Sequence, residues 1–494
     1  MKLNHVLKGL DSYTVKGDRY TDISSLLYDS KQIRPGGVFF AIKGENLNGA
    51  DFIDEAIERG ASCIVSESDF ITYKSITKVI VDDVRKSCAV IADNFYQHPS
   101  SKIDITGITG TNGKTTILYL ISAIMERSGF KCGSIGTISY NIGERRIPAI
   151  NTTPSAIMTH MFLHDMEKSG IKNCVMEISS HSLIQHRVDR IKFKTAIFTN
   201  LSKEHLDYHK DMESYFMAKS QLFCMLKPDG IAIVNYDDEY GKRLIESISK
   251  EVITYGMSDG ADIKAYDIKT SIKGTHFKVS FNEAVFGIKT QLIGEHNIYN
   301  ILAAIAYAVS NKIDIETIIQ TISLFSGVPG RLERVDTTGC GFEVFIDYAH
   351  TDDALSNVLE ALKKIAKSRI IVVFGCGGNR DKTKRPRMGK IASEKSDYVI
   401  ITSDNPRRED PEAILEDIVK GIPKDFNNYK VCLDRKEAIK EAIRMACNDD
   451  IVLIAGKGHE KYQIFKDATI PFDDKMLAEE LLEASMSKEK LKNV

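Results

Sequence analysis

Short runs of apolar residues alternate with segments of helical spacing along most of this chain. Near the N-terminus, residues 38–42 and 63–65 form apolar runs typical of short buried strands, and residues 52–57 between them have helical spacing. The segment QHPSS at 97–101 has the composition of a linker. We therefore predict a small α/β domain over residues 1–98.

Residues 99–332 are predicted to form a second domain. A strand at 103–109 leads through a glycine-rich turn into a helix at 114–127, which Gly129 closes. Strands that alternate with helices imply a mainly parallel sheet. Its other buried strands are predicted at 174–178, 195–199 and 230–235. Residues 262–293 break the pattern, because the period-two alternation in HFKVSF predicts antiparallel strands inserted at one edge.

A third domain is predicted over residues 333–494. Helical segments separate its apolar strands, as in a doubly wound, Rossmann-like fold. The predicted strands are 344–347, 370–374, 398–402, 430–433 and 451–455. The expected fold class is therefore α/β in three domains: a small N-terminal domain, a central domain and a Rossmann-like C-terminal domain.

Composition narrows the class of protein. The chain has 494 residues, 43% apolar and 27% charged, with 66 Lys and Arg against 68 Asp and Glu. This near-balance argues against a protein that coats nucleic acid or an anionic membrane. No stretch approaches ~18 apolar residues, and no signal peptide is recognisable. Nine cysteines without a CxxC pair exclude a disulfide scaffold and a thiolate zinc site. We expect a cytoplasmic protein that is a monomer and does not insert into membranes.

The glycine-rich turn at residues 107–116, GITGTNGKTT, has the context of a phosphate-binding loop. Backbone N–H groups and the helix N-terminus would surround the phosphates, Lys114 would reach them, and a threonine hydroxyl would hold Mg²⁺. The strict Walker A spacing is not met, because Ile108 occupies the position of the first glycine. The alternative is a turn without a ligand. The GKTT ending favours phosphate binding and makes the central domain a P-loop-type ATPase domain.

Three further side chains of the central domain are ambiguous from the residues alone. Glu177 ends a predicted strand, where a carboxylate can hold Mg²⁺, but it could also be a surface glutamate. His205 lies four residues before His209, yet HExxH is absent and no third ligand is evident, so zinc is not expected. Lys219 lies on a half-apolar helix, where a lysine usually extends along the surface toward water.

Several polar loops follow strands of the third domain and should meet at one edge of its sheet. They are DYAH (347–350), GCGGNRD (375–381), DNPR (404–407) and GKGHE (456–460). The basic run that contains Arg380, Lys382, Lys384, Arg385 and Arg387 is either a solvated loop or an anion site. None of the loops matches GxGxxG at a strand–helix junction, so no nicotinamide or flavin site is predicted.

Taken together, the motifs resemble those of the Mur ligase family over essentially the whole chain. They are TGTNGKTT (109–116), NTTP (151–154), MEISSH (176–181), FTNLSKEHLDYH (198–209), YFMAKSQLF (215–223), GEHNIYN (294–300), PGRLE (329–333), DYAHTDDAL (347–355) and GKGHE. YDSK (28–31) and GENLNGADFI (44–53) are similar to the branch that adds the third residue of the peptidoglycan stem peptide. DNPR is similar to the signature of members that use meso-diaminopimelate rather than L-lysine.

The resemblance implies a set of site residues. Catalysis would rest on Lys114, Glu177, His205 and Lys219, with the metal held by Thr115, Glu177, His205 and Lys219 as a carbamate. ATP would bind to Gly110, Thr111, Asn112, Gly113, Lys114, Thr115, Thr116, Asn300, Arg331, Asp347 and His350. The uridine diphosphate substrate would bind to Ser30, Thr152, Thr153, Ser179, Gln185 and Arg187. The amino acid would bind to Arg380, Asp404, Asn405, Pro406, Arg407, Gly456 and Glu460.

The implied reaction is an ATP-dependent ligation through an acyl phosphate, with ATP, Mg²⁺ and a carbamylated Lys219. Three alternatives remain. DNPR and the N-terminal domain argue against a folylpolyglutamate-type ligase, and the intact Lys114, Glu177, His205 and Lys219 argue against an inactive binding module. Only Arg407 and its neighbours exclude a lysine-adding enzyme. The sequence departs from the family pattern at Asp352, where proline is usual, and at Lys31, where arginine is common.

Overall fold

The computed structural model describes residues 1–44 and 47–492. Glu45 and Asn46, which belong to the GENLNGADFI motif, lie outside the described residues. The helices are α1 (Leu3–Val6), α2 (Ile53–Glu58), α3 (Val84–Phe95), α4 (Lys114–Arg127), α5 (Ala156–Lys168), α6 (Ser180–Ile184), α7 (Leu206–His209), α8 (Met212–Cys224), α9 (Glu239–Ser247), α10 (Glu295–Ser310), α11 (Ile315–Leu324), α12 (Asp352–Lys363), α13 (Lys384–Lys395), α14 (Pro411–Val419), α15 (Arg435–Met445) and α16 (Asp474–Lys492).

The strands in the first half of the chain are β1 (Tyr13–Lys16), β2 (Ser25–Leu27), β3 (Gly37–Phe40), β4 (Ala61–Ser66), β5 (Thr77–Val81), β6 (Asp104–Thr109), β7 (Cys132–Ile135), β8 (Ser139–Ile142), β9 (Arg145–Pro148), β10 (Asn173–Glu177), β11 (Phe193–Phe198) and β12 (Leu226–Asn235). Those in the second half are β13 (Glu251–Gly256), β14 (Ile263–Ser271), β15 (Gly274–Phe281), β16 (Ala284–Thr290), β17 (Glu333–Arg334), β18 (Glu343–Asp347), β19 (Ile370–Phe374), β20 (Tyr398–Thr402), β21 (Tyr429–Cys432), β22 (Ile451–Ala455), β23 (Tyr462–Ile464) and β24 (Thr469–Pro471).

Contacts group the chain into two compact units, which are described separately. Unit 1 contains Met1–Gly110, Ile121–Asn200 and His209–Ile253, and unit 2 contains Thr111–Leu120, Leu201–Tyr208 and Thr254–Val494. The α/β class with mostly parallel sheets is confirmed. The domain boundaries at 98/99 and 332/333 stay predictions.

Unit 1 contains two sheets. The small N-terminal sheet has the order β1-β5-β4-β3-β2, in which only β1 is antiparallel to its neighbour. In the second sheet, β12, β11, β6, β10 and β7 are parallel neighbours in that order, and β8 and β9 continue antiparallel. The central position of β6 places its carboxyl end, which carries the glycine-rich turn, between the carboxyl ends of β10 and β11. Ligands of open parallel sheets bind at such an edge.

Unit 2 contains the doubly wound sheet of the C-terminal region. Its order is β17-β18-β22-β19-β20-β21, and all strands except β17 are parallel. One face packs on α12, α13 and α14, and the other packs on α15 and α16. The last parallel strand, β22, returns to lie between β18 and β19. The direction of winding therefore reverses beside their carboxyl ends, and this reversal is the usual ligand position in such folds.

The antiparallel strands predicted within residues 262–293 are confirmed. They are β14, β15 and β16, and β15 pairs antiparallel with both of the others. The helix predicted at 114–127 coincides with α4, and the strands predicted at 370–374, 398–402 and 451–455 coincide with β19, β20 and β22. No helix within residues 1–44 and 47–492 is long and apolar enough to cross a membrane.

Candidate active site

Glu177 ends β10 in unit 1, in register with Ile108 of β6, and its side chain is completely buried. The backbone N–H of Thr137 donates to its Oε1 at 2.9 Å, and the Thr137 hydroxyl donates to Oε2 at 2.8 Å. The hydroxyls of Thr137 and Thr152 are 3.2 Å apart. The surface position considered for Glu177 is therefore wrong, because the strand end lies inside the sheet layer. A buried carboxylate beside two hydroxyls offers the oxygen atoms that hard cations prefer.

The residues expected to hold the uridine diphosphate substrate form a cluster beside Glu177, with one exception. The Thr153 hydroxyl donates to the Glu177 carbonyl at 2.8 Å, and the Ser179 N–H donates back to that hydroxyl at 3.1 Å. Arg187 donates to the Thr153 carbonyl at 3.0 Å and to Gln185 Oε1 at 2.6 Å. The structure thus brings most of these residues together around one strand end.

Ser30 is the exception within unit 1. Its buried hydroxyl donates to Glu55 Oε2 at 2.6 Å, which ties the turn after β2 to α2. This bond lowers the pKa of the Glu55 carboxyl, with a smaller contribution from Arg59. The structure places Ser30 in the small N-terminal sheet region, apart from the hydrogen bonds of the Thr153 cluster.

Lys219 lies on α8 and is only 2% exposed. Its Nζ donates to the Gly110 carbonyl at 2.7 Å and lies 4.5 Å from the centre of the Tyr215 ring. The expectation of a surface lysine is therefore wrong. Leu222, one turn further along α8, contacts β6 at Gly107, where an added Cβ would come within 3.0 Å of Leu222 Cδ1. Because residues three apart share a helix face, this packing also turns Lys219 inward.

The two histidines considered as a zinc pair have different environments. His209 is buried in unit 1, with Nε2 2.9 Å from the Ser180 hydroxyl and its ring next to Tyr215. His205 belongs to unit 2, has a left-handed φ of 56°, and has a side chain 45% exposed near Glu204. In the described part of the chain, no group of three or more His, Cys, Asp or Glu side chains could hold a metal ion.

The phosphate-loop residues of unit 2 are held by hydrogen bonds from several segments. Lys114 Nζ donates to the Thr111 carbonyl at 2.7 Å, and the Ser202 N–H donates to the Thr111 hydroxyl at 3.0 Å. Asn112 Nδ2 donates to Asp353 Oδ2 at 3.2 Å, and the Ser202 hydroxyl donates to the same oxygen at 3.0 Å. Asp353 therefore anchors the loop from the first turn of α12, although it was not among the predicted site residues.

The other predicted nucleotide residues of unit 2 lie beside this loop. Gly113 has a φ of 92°, and an added Cβ would collide with Asn300 Oδ1, so only glycine fits there. Arg331 reaches the buried Thr115, with Nη2 3.5 Å from its hydroxyl. The arginine also stacks on Tyr348, 4.9 Å from the ring centre. The structure thus places Thr115, Asn300 and Arg331, which were predicted to bind the nucleotide, close to one another.

Asp347 fixes the geometry of the neighbouring loops. Its carboxylate accepts the N–H of Leu332 at 2.5 Å and that of Ala349 at 2.7 Å. Burial raises the pKa of Asp347, and Arg331 and the two N–H donors oppose this effect. His350 donates from Nδ1 to the Tyr348 carbonyl at 2.9 Å, and burial together with the charge of Lys384 lowers its pKa.

The predicted amino-acid residues meet at the carboxyl ends of β20 and β22 in unit 2. Asn405 is 2% exposed, and its Nδ2 donates to Glu460 Oε2 at 2.8 Å. Arg407 has a left-handed φ of 54°, and its Nη1 donates to the Gly378 carbonyl at 2.9 Å. Gly456 has a φ of 110°, and an added Cβ would lie 2.8 Å from Asp404 Oδ2. Pro406 is buried beside them.

The basic run is neither wholly solvated nor wholly a loop. Lys384 begins α13, and Arg385 is 1% exposed, with its guanidinium 3.0 Å from Glu409 Oε2 and 3.1 Å from Asp417 Oδ2. Arg380 remains exposed. Arg385 thus ties the start of α13 to Glu409 and Asp417, which follow the DNPR loop, and the sequence did not reveal this role.

Comparison with known proteins settles the family. Residues 22–96 match the model of the Mur ligase family catalytic domain, residues 108–308 the Mur ligase middle domain, and residues 330–458 the Mur ligase glutamate ligase domain. The chain is 45% identical to UDP-N-acetylmuramoyl-L-alanyl-D-glutamate–2,6-diaminopimelate ligase 1 of Clostridium acetobutylicum, over 98% of this chain and 99% of the relative. The chain belongs to the Mur ligase family. This Mur ligase is also 45% identical to the 2,6-diaminopimelate ligase of Clostridioides difficile, with the same coverage of both chains.

A solved structure agrees with this assignment. This Mur ligase superposes on a structure of UDP-N-acetylmuramoyl-L-alanyl-D-glutamate–2,6-diaminopimelate ligase with a TM-score of 0.68. The two are 30% identical over 98% of this chain and 99% of the solved chain. The fold expected from the motifs, with its three family domains, is therefore confirmed.

Proposed function

We propose that this Mur ligase joins meso-diaminopimelate to the D-glutamate of UDP-N-acetylmuramoyl-L-alanyl-D-glutamate, with ATP converted to ADP and phosphate. The observation that carries the proposal is the 45% identity, over nearly the full length, to ligases named for this substrate pair. Within this proposal the protein works in the cytoplasm as a monomer on small-molecule substrates.

The reaction consists of two transfers. The γ-phosphoryl group of ATP passes to the free carboxylate of D-glutamate and gives an acyl phosphate and ADP. The amino group of diaminopimelate then attacks the acyl carbon, the phosphate leaves with the electron pair of the C–O bond, and the amine loses a proton. The product is an amide. Phosphoryl transfer of this kind needs positioning and charge stabilisation more than covalent help from the protein.

The residues present fit a magnesium ion. The buried Glu177 carboxylate accepts from the Thr137 hydroxyl, which lies next to that of Thr152, and Mg²⁺ is usually held by one or two carboxylates plus substrate phosphates. We assign Glu177, Thr115 and His205 to the ion, with Lys219 as its carbamate. When bound, Mg²⁺ neutralises charge on the phosphoryl oxygens.

Residues of several segments then bind different parts of the nucleotide. Gly110, Thr111, Asn112, Gly113 and Thr116 form the loop that surrounds the phosphates, and Lys114 begins α4 beside them. Lys114 supplies the charge that the transferred group needs. Arg331, already beside Thr115, extends that positive field, while Asn300, Asp347 and His350 bind the rest of the nucleotide. Preorganised donors of this kind lower the barrier because they need no rearrangement during the reaction.

The cluster around Thr153 is assigned to the muramoyl-dipeptide part of the substrate. Thr152, Ser179, Gln185 and Arg187 would hold it next to Glu177, and Ser30 would contact the uridine end. Arg187 is poised for an anionic group, since its guanidinium is already oriented by Gln185 and by the Thr153 carbonyl. Arginine in a fixed orientation suits carboxylate or phosphate recognition.

Arg407 selects the amino acid in this proposal. Its guanidinium can pair with the distal carboxylate of diaminopimelate, which L-lysine lacks. Rejection of lysine by roughly 10³-fold is reasonable when a desolvated arginine would be left unpaired. Arg380, Asp404, Asn405, Gly456 and Glu460 complete the pocket.

The test is phosphate release with ATP, Mg²⁺ and UDP-N-acetylmuramoyl-L-alanyl-D-glutamate, with meso-diaminopimelate in one reaction and L-lysine in another. Release with diaminopimelate only is expected. Arg407→Ala should lower kcat/KM for diaminopimelate by about 10²-fold and leave the KM for ATP unchanged. Release with lysine alone would refute the amino-acid assignment, and release with neither would refute the ligase activity.

A further inference from the structure

Lys457 is a buried charged residue of the amino-acid pocket that the proposed function does not use. It lies in GKGHE, directly after Gly456, and its side chain is 0% exposed. Nζ is 3.1 Å from Asn405 Oδ1 and 3.1 Å from Glu460 Oε2. A buried ammonium without a counter-charge is strongly unfavourable, and Glu460 supplies that counter-charge as the partner in an ion pair.

The pair also fixes the two side chains that it touches. Asn405 Oδ1 accepts from Lys457 and from the Ile464 N–H at 2.9 Å, so its Nδ2 must point the other way, to Glu460 Oε2 at 2.8 Å. Lys457, Asn405 and Glu460 therefore form a closed triangle of hydrogen bonds. Oε2 of Glu460 is occupied twice, and the side chain is still 18% exposed, so Oε1 is the atom left for an incoming group.

We propose that Lys457 is a specificity-determining positioning residue, which makes the pocket accept an amino acid that is zwitterionic at its distal end and reject one with a bare distal ammonium. The inference rests on the proposed function. With Lys457, the charged groups assigned to the pocket are three cations, Arg380, Arg407 and Lys457, against two carboxylates, Asp404 and Glu460. A distal ammonium with its own carboxylate enters without net charge. The distal ammonium of L-lysine meets an excess of positive charge.

This role differs from that of Arg407. Arg407 favours binding of an amino acid that has a distal carboxylate. Lys457 disfavours binding of an amino acid whose distal ammonium has no carboxylate beside it. Loss of Lys457 should thus have two effects. Glu460 loses its fixed orientation, which raises the KM for diaminopimelate, and the excess positive charge disappears, which makes lysine a better substrate.

The experiment measures kcat/KM for meso-diaminopimelate and for L-lysine, with the KM for ATP as an internal check. Lys457→Met should lower the diaminopimelate-to-lysine ratio about tenfold or more, and Lys457→Arg should keep most of it because the charge remains. Lys461→Met is the matched control, since that side chain is 78% exposed in the same segment and should leave the ratio unchanged.

A double variant separates charge from folding. Lys457→Met with Glu460→Gln removes both members of the ion pair and leaves two cations against one carboxylate, the same excess as in the wild type. Its activity with diaminopimelate should be poor, yet its discrimination against lysine should exceed that of Lys457→Met. It also avoids an unpaired Glu460 if the single variant folds badly.

The results distinguish this inference from the proposed function. A wild type without diaminopimelate-dependent turnover overturns the function itself. An active wild type whose ratio is unchanged by Lys457→Met, or a double variant no more selective than the single one, overturns the role of Lys457. A parallel rise in the KM for ATP would show a general structural defect and would also refute it.

Discussion

Lys219 and Lys457 are the almost completely buried lysines of the described residues, but their surroundings differ. Lys219 donates to the Gly110 carbonyl and lies against the face of the Tyr215 ring. Lys457 instead has the carboxylate of Glu460 and the amide oxygen of Asn405. Lys457 thus lies beside a carboxylate that balances its charge, as a buried ammonium requires.

The contrast separates two tasks within one enzyme. The region of Glu177 and Lys219 would serve phosphoryl transfer, which every turnover needs whichever amino acid is used. The region of Asn405, Lys457 and Glu460 would serve the choice of amino acid. Changes in the first region should therefore abolish turnover, and changes in the second should redistribute it between substrates.

The largest effect is expected at Lys219. Lys219→Met should lower kcat by about 10³-fold with diaminopimelate and with lysine alike, because the carbamate proposed at this position would be lost. Phosphate release at saturating substrates measures it. Lys242→Met, at an exposed position on α9, should retain wild-type turnover. Substantial activity of Lys219→Met would remove this lysine from the chemistry.

The same comparison can be tested by labelling. A carbamate forms when the amine nitrogen of lysine attacks CO₂ and a proton leaves, and Nζ of Lys457 is already hydrogen-bonded to Asn405 and Glu460. ¹³C-bicarbonate should therefore give a carbamate signal that Lys219→Met abolishes and that Lys457→Met leaves unchanged. A signal that depends on Lys457 would reverse the assignment.

A smaller loss is expected at Glu177. Glu177→Gln keeps the shape of the side chain but removes its charge, so kcat should fall by about 10²-fold and the Mg²⁺ concentration for half-maximal rate should rise. Titration of phosphate release with Mg²⁺ measures both effects. Glu239→Gln, at an exposed position in the first turn of α9, serves as the control. An unchanged Mg²⁺ requirement would contradict the assignment of Glu177 to the ion.

The strands and the phosphate loop were predictable because their signals are local. Apolar runs bounded by polar residues gave β19, β20 and β22 with their observed bounds, and the GKTT ending gave the start of α4. The side chains that follow each strand were also predictable, since parallel strands bring their carboxyl ends to one edge. Asp347, Asp404 and Gly456 meet in this way.

Burial of single charged residues was not predictable, because it depends on packing between distant segments. Lys219 has the neighbours of a surface lysine in sequence, and its burial follows from packing of α8 on β6, where Leu222 meets Gly107. Arg385 lies within a run of exposed basic residues, and its partners Glu409 and Asp417 are more than twenty positions away. Thr137, which holds Glu177, carries no sequence signal at all.

A moderate effect is expected at Gly456. Gly456→Ala forces a side chain into a φ of 110° and places its Cβ 2.8 Å from Asp404 Oδ2, so the KM for diaminopimelate should rise about tenfold. The KM for ATP should not change. Gly129→Ala provides the comparison, because Gly129 has a φ of 83° with no atom near its missing Cβ. That variant should lose stability but keep both KM values, and an equal effect on diaminopimelate would refute the local explanation.

The smallest effect concerns stability at His459, next to the Lys457 network. Burial, with the charges of Arg331 and His350, lowers the pKa of His459 to about 4, from an ordinary value of about 6.5. Below about pH 6.5, His459 therefore binds a proton in the unfolded chain but stays neutral in the folded protein until the pH approaches 4. This contribution to stability is complete above about pH 6.5 and is lost as the pH falls toward 4. The Tm of the wild type should thus drop more between pH 7 and about pH 5 than that of His459→Gln. Equal drops would mean that burial does not lower the pKa of His459 in the folded protein.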